Sequence, residues 1–158
     1  KPDIISFGKK AQVCGVLANK EKFDEIPNNV FKESSRINST FGGNFIDILR
    51  FQLIMEVIEK ENLVENARIV GEYLVEGLQI LAQKYPEKLS NPRGRGLMAA
   101  IDLQNGDQRD KMRELLYDEG VIILSCGDQS IRFRPHLNVS KEEIQMALDK
   151  IELCIEKL

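Results

Sequence analysis

Lys9 is the side chain in this sequence best placed to act as a nucleophile. It follows the apolar, strand-like residues 4–7 and Gly8, and a second lysine, Lys10, comes directly after it. Burial at the foot of such a strand disfavours the ammonium form, so the amine can lose its proton near neutral pH and attack a carbonyl to form a Schiff base. The alternative is a solvated strand end, because charged residues are mostly exposed.

Two hydroxyl side chains stand beside two glycines in the segment 38–44. Ser39 and Thr40 precede Gly42 and Gly43, and an apolar pattern with helical spacing begins after Asn44. Hydroxyls and backbone N–H groups at a helix N-terminus suit a phosphate dianion, and glycines let the backbone approach it closely. The alternative is that the hydroxyls are ordinary helix caps.

Arginine alternates with apolar residues in the segment 130–135. This pattern predicts a strand, and a guanidinium fixed on a strand can hold a carboxylate through two parallel hydrogen bonds. Arg132 is the candidate for that role. Arg134 shares its face but lies about 6 to 7 Å further along the strand, so it suits packing or surface charge. The alternative for the whole segment is an edge strand with a solvated charged face.

Together these groups describe a site for pyridoxal phosphate and an amino acid. A lysine suits the aldehyde, hydroxyls suit the phosphate and an arginine suits the carboxylate. Around these groups the sequence resembles the class III aminotransferases of fold type I, over essentially all of its length. The matching segments are residues 7–16, 38–44, 92–98 and 132–135. Four ordered motifs at compatible spacing are more specific than any one of them.

The resemblance implies a role for each candidate residue. Lys9 matches the lysine that binds the cofactor, which makes Lys10 a neighbour and not the nucleophile. Ser39 and Thr40 match the pair that reaches across the dimer interface to the cofactor phosphate of the other subunit. Arg132 matches the arginine that holds the carboxylate of 2-oxoglutarate or of the amino acid.

The resemblance also implies a reaction and a partner. The members matched best move the ε-amino group of L-lysine to 2-oxoglutarate, giving 2-aminoadipate 6-semialdehyde and glutamate, and they work as homodimers with shared active sites. A class III enzyme acting on ornithine, acetylornithine or 4-aminobutyrate would use the same Lys9, Thr40 and Arg132. Two further alternatives are a non-catalytic fragment that serves as a dimerisation or interaction domain, and a truncated pseudoenzyme.

The length of 158 residues suits a single core. The family's subunit is far longer, so we expect a C-terminal portion that is inactive in isolation. Residues 1–41 are expected to end the large cofactor domain, and residues 42–158 to form a connecting helix and the C-terminal small domain. The predicted fold class is α/β, with an α+β small domain whose helices pack on a small, mostly antiparallel sheet.

Composition argues against several other functions. The net charge is -3 with 30% charged residues of both signs, which gives no basic field for nucleic acid. No apolar run is long enough to span a membrane and no signal-peptide pattern is present. Cys14, Cys126 and Cys154 lack metal-ligand spacing and read as reduced cysteines of a cytoplasmic protein. His136 is the sole histidine and stands where the family usually has a second proline.

The periodicity predicts the elements that must position these groups. Strands are expected at residues 4–7 and 13–17, followed by an irregular polar loop over 19–39. Two helices with packed apolar stripes should follow Asn44 and end before Pro86. A turn at 93–96, whose arginines could be functional, leads to a strand over 97–103.

Helices and strands are also expected over the remaining residues, from 108 to 158. A helix over 108–119 should stop at Gly120. Strands over 121–125 and 131–134 should complete the sheet. A last helix is expected to start with a capping box formed by Ser140 and Glu143.

Overall fold

The structure, a computed structural model, describes residues 2–11, 13–37, 40 and 42–158, and of Lys10 the backbone alone. The chain forms two units, the first ending at Glu61 and the second spanning Asn62–Leu158. None of the helices within these ranges is long and apolar enough to cross a membrane. The strands are β1 Ile4–Phe7, β2 Gly15–Ala18, β3 Leu89–Arg95, β4 Met98–Leu103, β5 Leu124–Cys126 and β6 Ser130–Phe133. The α-helices are α1 Lys20–Asp24, α2 Phe45–Lys60, α3 Leu63–Lys84, α4 Gly106–Asp118 and α5 Lys141–Glu156, and Lys9–Ala11 forms a 3₁₀ turn.

A short hairpin opens the first unit. β1 pairs antiparallel with β2, so that Phe7 lies opposite Gly15. A Cβ at Gly15 would fall 2.3 Å from the ring of Phe7, which explains a glycine at this position. The same ring stacks on Phe51 of α2 at a centroid distance of 5.6 Å. Both predicted strands are therefore present, with β2 beginning two residues later than the apolar pattern indicated.

The segment after β2 is more ordered than the sequence predicted. Asn19 caps helix α1 by accepting a hydrogen bond from the Glu21 N–H at 3.1 Å. Further on, the buried Asn29 side chain donates to the carbonyls of Phe23 and Ile26 at 2.6 and 3.0 Å. The prediction of an irregular loop over 19–39 is thus wrong at Lys20–Asp24, where a polar cap is sufficient to begin a short helix.

Helix α2 carries apolar residues that nothing in the described residues of the first unit buries. The helix forms as predicted, but none of its residues is buried. Phe45 is 87% exposed and Ile46 is 68% exposed. The expectation of a packed stripe on this helix is therefore wrong within this unit, because helical spacing predicts an apolar face but not its partner.

The second unit is a four-stranded antiparallel sheet with helices on one face. The strand order is β3-β4-β6-β5 and every neighbouring pair is antiparallel. Alternate strand residues point into the core, where Ile101 and Ile131 are both fully buried. Helices α3 and α4 contact the sheet and α5 contacts both helices. The predicted antiparallel sheet with packed helices is confirmed for this unit.

Helix α3 supplies a large part of the core. Its buried residues recur with helical spacing, as predicted, and it ends at Lys84 before Pro86. These residues are Leu63, Val70, Gly71, Leu74, Leu78 and Leu81. Gly71 lets the helix approach the turn between β3 and β4, since a Cβ there would lie 2.2 Å from the backbone of Gly96. The helix and the turn therefore meet backbone to backbone.

The other two helices have well-defined ends. Asn105 caps α4 through a 2.9 Å hydrogen bond from the Gln108 N–H, which starts the helix two residues before the predicted position. Gly120 follows α4 with φ +79°, the left-handed conformation that the predicted glycine stop requires. The predicted capping box of α5 is confirmed, with Ser140 and Glu143 exchanging hydrogen bonds of 3.1 and 2.8 Å.

The predicted turn at residues 93–96 is wrong in three of its four positions. Arg93, Gly94 and Arg95 belong to strand β3, and the turn itself is made by Gly96 and Leu97. The glycines suggested a turn, yet Gly94 is needed because a Cβ there would lie 2.8 Å from Val75 of α3. Strands β5 and β6 lie where expected, with ends shifted by one to three residues.

Replacing Gly71 by alanine should destabilise the second unit by about 1 to 3 kcal/mol, because the added methyl group meets backbone atoms that cannot move independently. Gly77→Ala on the same helix is the matched control. Its Cβ would meet the end of the flexible Leu148 side chain at 2.3 Å, and the gain in helix propensity of about 1 kcal/mol offsets the contact. Urea unfolding of the two variants measures the difference, and equal midpoints would contradict the prediction.

Candidate active site

Lys9 begins the 3₁₀ turn that follows β1 and is exposed. Its φ of 57° is unusual for a residue with a side chain, and residues in such sparsely populated conformations are enriched at functional sites. The turn is closed by a 3.3 Å hydrogen bond from the Ala11 N–H to the Gly8 carbonyl. The expectation that β1 is a buried strand is wrong within this unit, since Ile4 is 55% and Ile5 is 45% exposed in a sheet of two strands.

Thr40 is exposed and does not cap helix α2. Asn44 is the cap, and its side chain accepts a 2.9 Å hydrogen bond from the Ile46 N–H. The alternative that the Thr40 hydroxyl caps this helix is therefore wrong, because Asn44 has that role. Gly43 has φ +75° and open space where a Cβ would stand, so the backbone at this position is accessible. Ser39, the other predicted phosphate ligand, lies outside the described residues.

A cavity of about 710 Å³ is present in the first unit. Its wall includes residues of both strands of the hairpin, of the segment after α1 and of the glycine pair. Ser6, Phe7, Phe31, Ile37, Gly42 and Gly43 are among them. The lining is mostly apolar, as in pockets that bind small organic molecules.

Arg132 lies on β6, an interior strand of the sheet. The alternative interpretation of this segment, an edge strand with a solvated charged face, is therefore wrong. Ala100 of β4 is opposite Arg132 on one side and Leu124 of β5 on the other. Its Nε is buried and has no hydrogen-bond partner among the described residues. Burying an N–H donor without a partner costs about 1 to 3 kcal/mol, so this atom is suited to an acceptor supplied by a ligand.

The sheet brings a cluster of polar residues next to Arg132 that sequence reasoning missed. We call the sheet surface formed by Arg93, Ala100, Asp102, Ser130 and Arg132 the polar face, because it lies opposite the core face. On it, Asp102 accepts hydrogen bonds from Arg93 at 2.8 Å, from Asn91 at 2.9 Å and from the Ser130 hydroxyl. The Arg93 guanidinium also donates to Ser130 at 3.0 Å. The one available signal was the pair of arginines at 93 and 95, which the sequence had placed in a turn.

The charge state of Asp102 follows from these contacts. Burial by itself raises the pKa of the Asp102 carboxyl. Hydrogen bonds from Ser130, Asn91 and Arg93, together with the positive charge of Arg93, outweigh burial and hold the pKa below its ordinary value. The residue is therefore a carboxylate at neutral pH, paired with Arg93.

The predicted site residues fall in both units. Lys9 and Thr40 belong to the first unit, and Arg132 belongs to the second. In the second unit the structure joins Arg93, Asp102 and Ser130 beside Arg132. Within the described ranges, no three His, Cys, Asp or Glu side chains are grouped so that they could hold a metal ion.

The chain belongs to the class III aminotransferases: residues 1–155 match the family model described as aminotransferase class-III. This confirms the family that the four motifs predicted. L-Lysine-epsilon aminotransferase of Mycobacterium tuberculosis is 48% identical over 154 residues, which are 98% of this chain and 34% of that protein. The 4-aminobutyrate aminotransferase of Dictyostelium discoideum is 34% identical over 157 residues, 99% of this chain and 30% of that protein.

Structural comparison agrees with the sequence matches. The solved structure of lysine aminotransferase from M. tuberculosis superposes with a TM-score of 0.94 at 44% identity, covering 99% of this chain and 36% of that one. The predicted fold, a small α/β portion of a fold type I aminotransferase, is confirmed. The chain spans about a third of the length of the curated relatives it matches.

Asp102 should stabilise the second unit at neutral pH and lose this effect in acid. A carboxyl whose pKa is lowered by folding contributes stability above its unfolded pKa of about 3.9 and loses it as the pH falls through the lower folded value. Asp102→Asn should therefore lower the free energy of unfolding by about 1 to 3 kcal/mol at pH 7. Urea unfolding from pH 7 to pH 2.5 should show the two proteins converging, and a difference independent of pH would refute the account.

Proposed function

We propose that the chain is the C-terminal part of a pyridoxal phosphate-dependent aminotransferase that moves the ε-amino group of L-lysine to 2-oxoglutarate. The products would be 2-aminoadipate 6-semialdehyde and glutamate. The observation that carries the proposal is Arg132, a guanidinium on an interior strand whose buried Nε has no acceptor in the described residues. A substrate carboxylate supplies the missing acceptor. Similarity to lysine aminotransferases at 48% identity, against 34% for a 4-aminobutyrate aminotransferase, supports lysine as the donor.

The residues of the first unit fit the cofactor. Lys9 offers an exposed primary amine on a strained turn, and Thr40 offers a hydroxyl that is not used to cap a helix. Gly43 leaves the neighbouring backbone open to a phosphate. When bound, pyridoxal phosphate acts as an electron sink that makes the amine-bearing carbon of the substrate acidic. Lys9 would hold the cofactor and Thr40, with Ser39, would hold its phosphate.

The chain's own residues would then perform two tasks. The Lys9 amine, once free of the cofactor, would take the proton from the substrate carbon as general base and would deliver it to the cofactor as general acid. Arg132 would fix the substrate carboxylate through paired hydrogen bonds, which sets the orientation of the reacting end. Fixing one end of a flexible substrate removes motions that would otherwise have to be frozen during the reaction.

The remaining expectations about the whole protein belong to the same proposal. Residues 1–41 would end a large cofactor domain, and residues 42–158 would form the connecting helix and small domain. The subunit would form a homodimer in the cytoplasm, and Ser39 and Thr40 would reach the cofactor phosphate of the partner subunit. The exposed apolar residues of α2, including Phe45, support an interface on this helix, because large apolar patches mark contact surfaces.

That same apolar surface favours a second candidate function. A chain of this length that binds no cofactor could serve as a dimerisation or interaction domain with its site residues unused. Light scattering would detect self-association in either case, and so binding of pyridoxal phosphate to the chain is the discriminating observation. Retention of the cofactor would argue against the second candidate.

Borohydride reduction of the protein from its natural source tests the proposal directly. Reduction converts an imine between lysine and the cofactor into a stable secondary amine, so peptide mapping should find a pyridoxyl group on Lys9. The intact mass from the same sample gives the length of the natural chain. Unmodified Lys9 would contradict the proposal and favour an interaction role.

Lys9→Ala should lower turnover of L-lysine with 2-oxoglutarate by several orders of magnitude in that protein, because the general base is removed. Lys10→Ala is the matched control, and it should retain most of the activity if Lys9 alone has this role. Release of glutamate measured in single-turnover and steady-state assays gives the rates. Turnover like that of the wild type in Lys9→Ala would refute the assignment.

A further inference from the structure

Two arginines share the polar face of the sheet with one alanine between them. The register places Arg93 of β3 opposite Ala100 of β4, and Ala100 opposite Arg132 of β6. Because paired residues in antiparallel strands point to the same side, both guanidinium groups project from this face. Their Cα atoms are separated by two strand spacings, roughly 10 Å, and a methyl group is all that stands between them. Both side chains are long enough to reach an anion bound above Ala100.

The two arginines differ in what they contact. Arg93 is bonded to Asp102, to Ser130 and to the Asn91 carbonyl, all within 3.0 Å. The Arg132 side chain has no ion pair or hydrogen bond with any residue in the described part of the chain. The charge of Arg93 is therefore neutralised by a carboxylate of the protein itself, whereas that of Arg132 is not.

The backbone is shaped to hold Asp102 on Arg93. A bulge lies between Ser90 and Arg93 in β3, and within it Asn91 adopts φ 51°. Asparagine tolerates this conformation better than most residues do, and bulges commonly redirect side chains beside functional sites. Here the bulge turns the Asn91 amide toward Asp102 and the Asn91 carbonyl toward Arg93. Ser130, two residues before Arg132 on the same strand, completes the set.

We propose that Asp102 determines the specificity of the carboxylate site: it pairs with Arg93 and so leaves Arg132 as the guanidinium of the polar face that receives the substrate carboxylate. The inference rests on the proposed function, since it gives Arg132 that role. Without Asp102, both Arg93 and Arg132 would be available on the polar face to bind a substrate carboxylate. Dicarboxylates such as 2-oxoglutarate could then bind across both arginines in an orientation that does not present the reacting carbon.

The net charge of the Arg93–Asp102 pair predicts whether each variant binds a carboxylate more tightly or more weakly. Asp102→Asn keeps the size of the side chain and leaves Arg93 as a second cation, so a carboxylate should bind more tightly. Arg93→Gln leaves Asp102 as an uncompensated anion, so a carboxylate should bind more weakly. The double variant Arg93→Gln/Asp102→Asn removes a neutral pair and should bind like the wild type. Unit charges roughly 8 Å apart near the surface change affinity about two- to fivefold in each direction at low salt.

The probe is glutarate, a dicarboxylate that cannot react. Titration of the ¹⁵N-labelled chain at low ionic strength follows the resonance of the Arg132 Nε–H, a group with no acceptor in the described part of the chain. Dissociation constants for glutarate are compared among the wild type, the three variants, Arg132→Gln and Arg113→Gln. Because Arg132→Gln lacks the Nε–H, the backbone amide resonances of Ala100 and Leu124, the strand partners of residue 132, are followed in that variant. Arg113 lies on α4, a helix that contacts the opposite face of the sheet, and controls for a general effect of net charge. Urea midpoints measured alongside establish that each variant is folded.

The outcomes separate the two proposals. The expected order of affinity is Asp102→Asn tightest, the wild type and the double variant equal, and Arg93→Gln weakest, with Arg113→Gln unchanged. If Asp102→Asn does not fold, the weakening in Arg93→Gln and its reversal in the double variant decide the question. Weaker binding in all three variants, with Arg132→Gln abolishing binding, would show a structural role and overturn this inference alone. Binding that persists in Arg132→Gln would overturn the proposed function and the inference with it.

Discussion

The antiparallel pairing of β4 with β6 is the constraint on which the second unit depends. It sets Ile101 opposite Ile131 against the helices and, in the same register, Ala100 opposite Arg132 on the polar face. A slip of one residue would exchange the two faces and bury a guanidinium under the helices. Desolvating that charge without a partner would cost several kcal/mol. The hydrophobic core and the proposed carboxylate site are therefore specified by one set of backbone hydrogen bonds.

The two units are stabilised in different ways. The second has a continuous core to which α3, α4, α5 and the sheet all contribute. The described residues of the first unit have a smaller set of such contacts: two pairs of aromatic rings, Phe7 with Phe51 and Phe23 with Phe31, and the buried amide of Asn29. The second unit can therefore hold Arg132 in a fixed direction. Lys9 and Thr40, which we propose to bind the cofactor, lie on exposed turns of the first unit.

Local signals in the sequence predicted the elements well, and distant contacts account for what they missed. The stripe of α3, the stop at Gly120 and the capping box at Ser140 all depend on residues within one or two turns, and each is confirmed. The exposure of α2 could not be predicted, because apolar spacing does not identify a partner. Asp102 sits in an apolar strand and meets Ser130, 28 residues away, through a pairing register and a bulge that short-range patterns do not encode. Arg132 could be selected as a candidate because strand alternation and a family motif coincide on it, and its role stays a prediction.

The reactivities of two cysteines can be used to measure local unfolding of the second unit. Cys154 is fully buried on α5, and burial raises the pKa of its thiol, whereas Cys14 of the first unit is exposed. Since the thiolate is the reactive form, an alkylating reagent reaches Cys14 in the folded chain but Cys154 only when α5 separates from the core. The ratio of the two labelling rates at a given temperature thus reports how often the second unit opens, and no residue has to be changed to measure it.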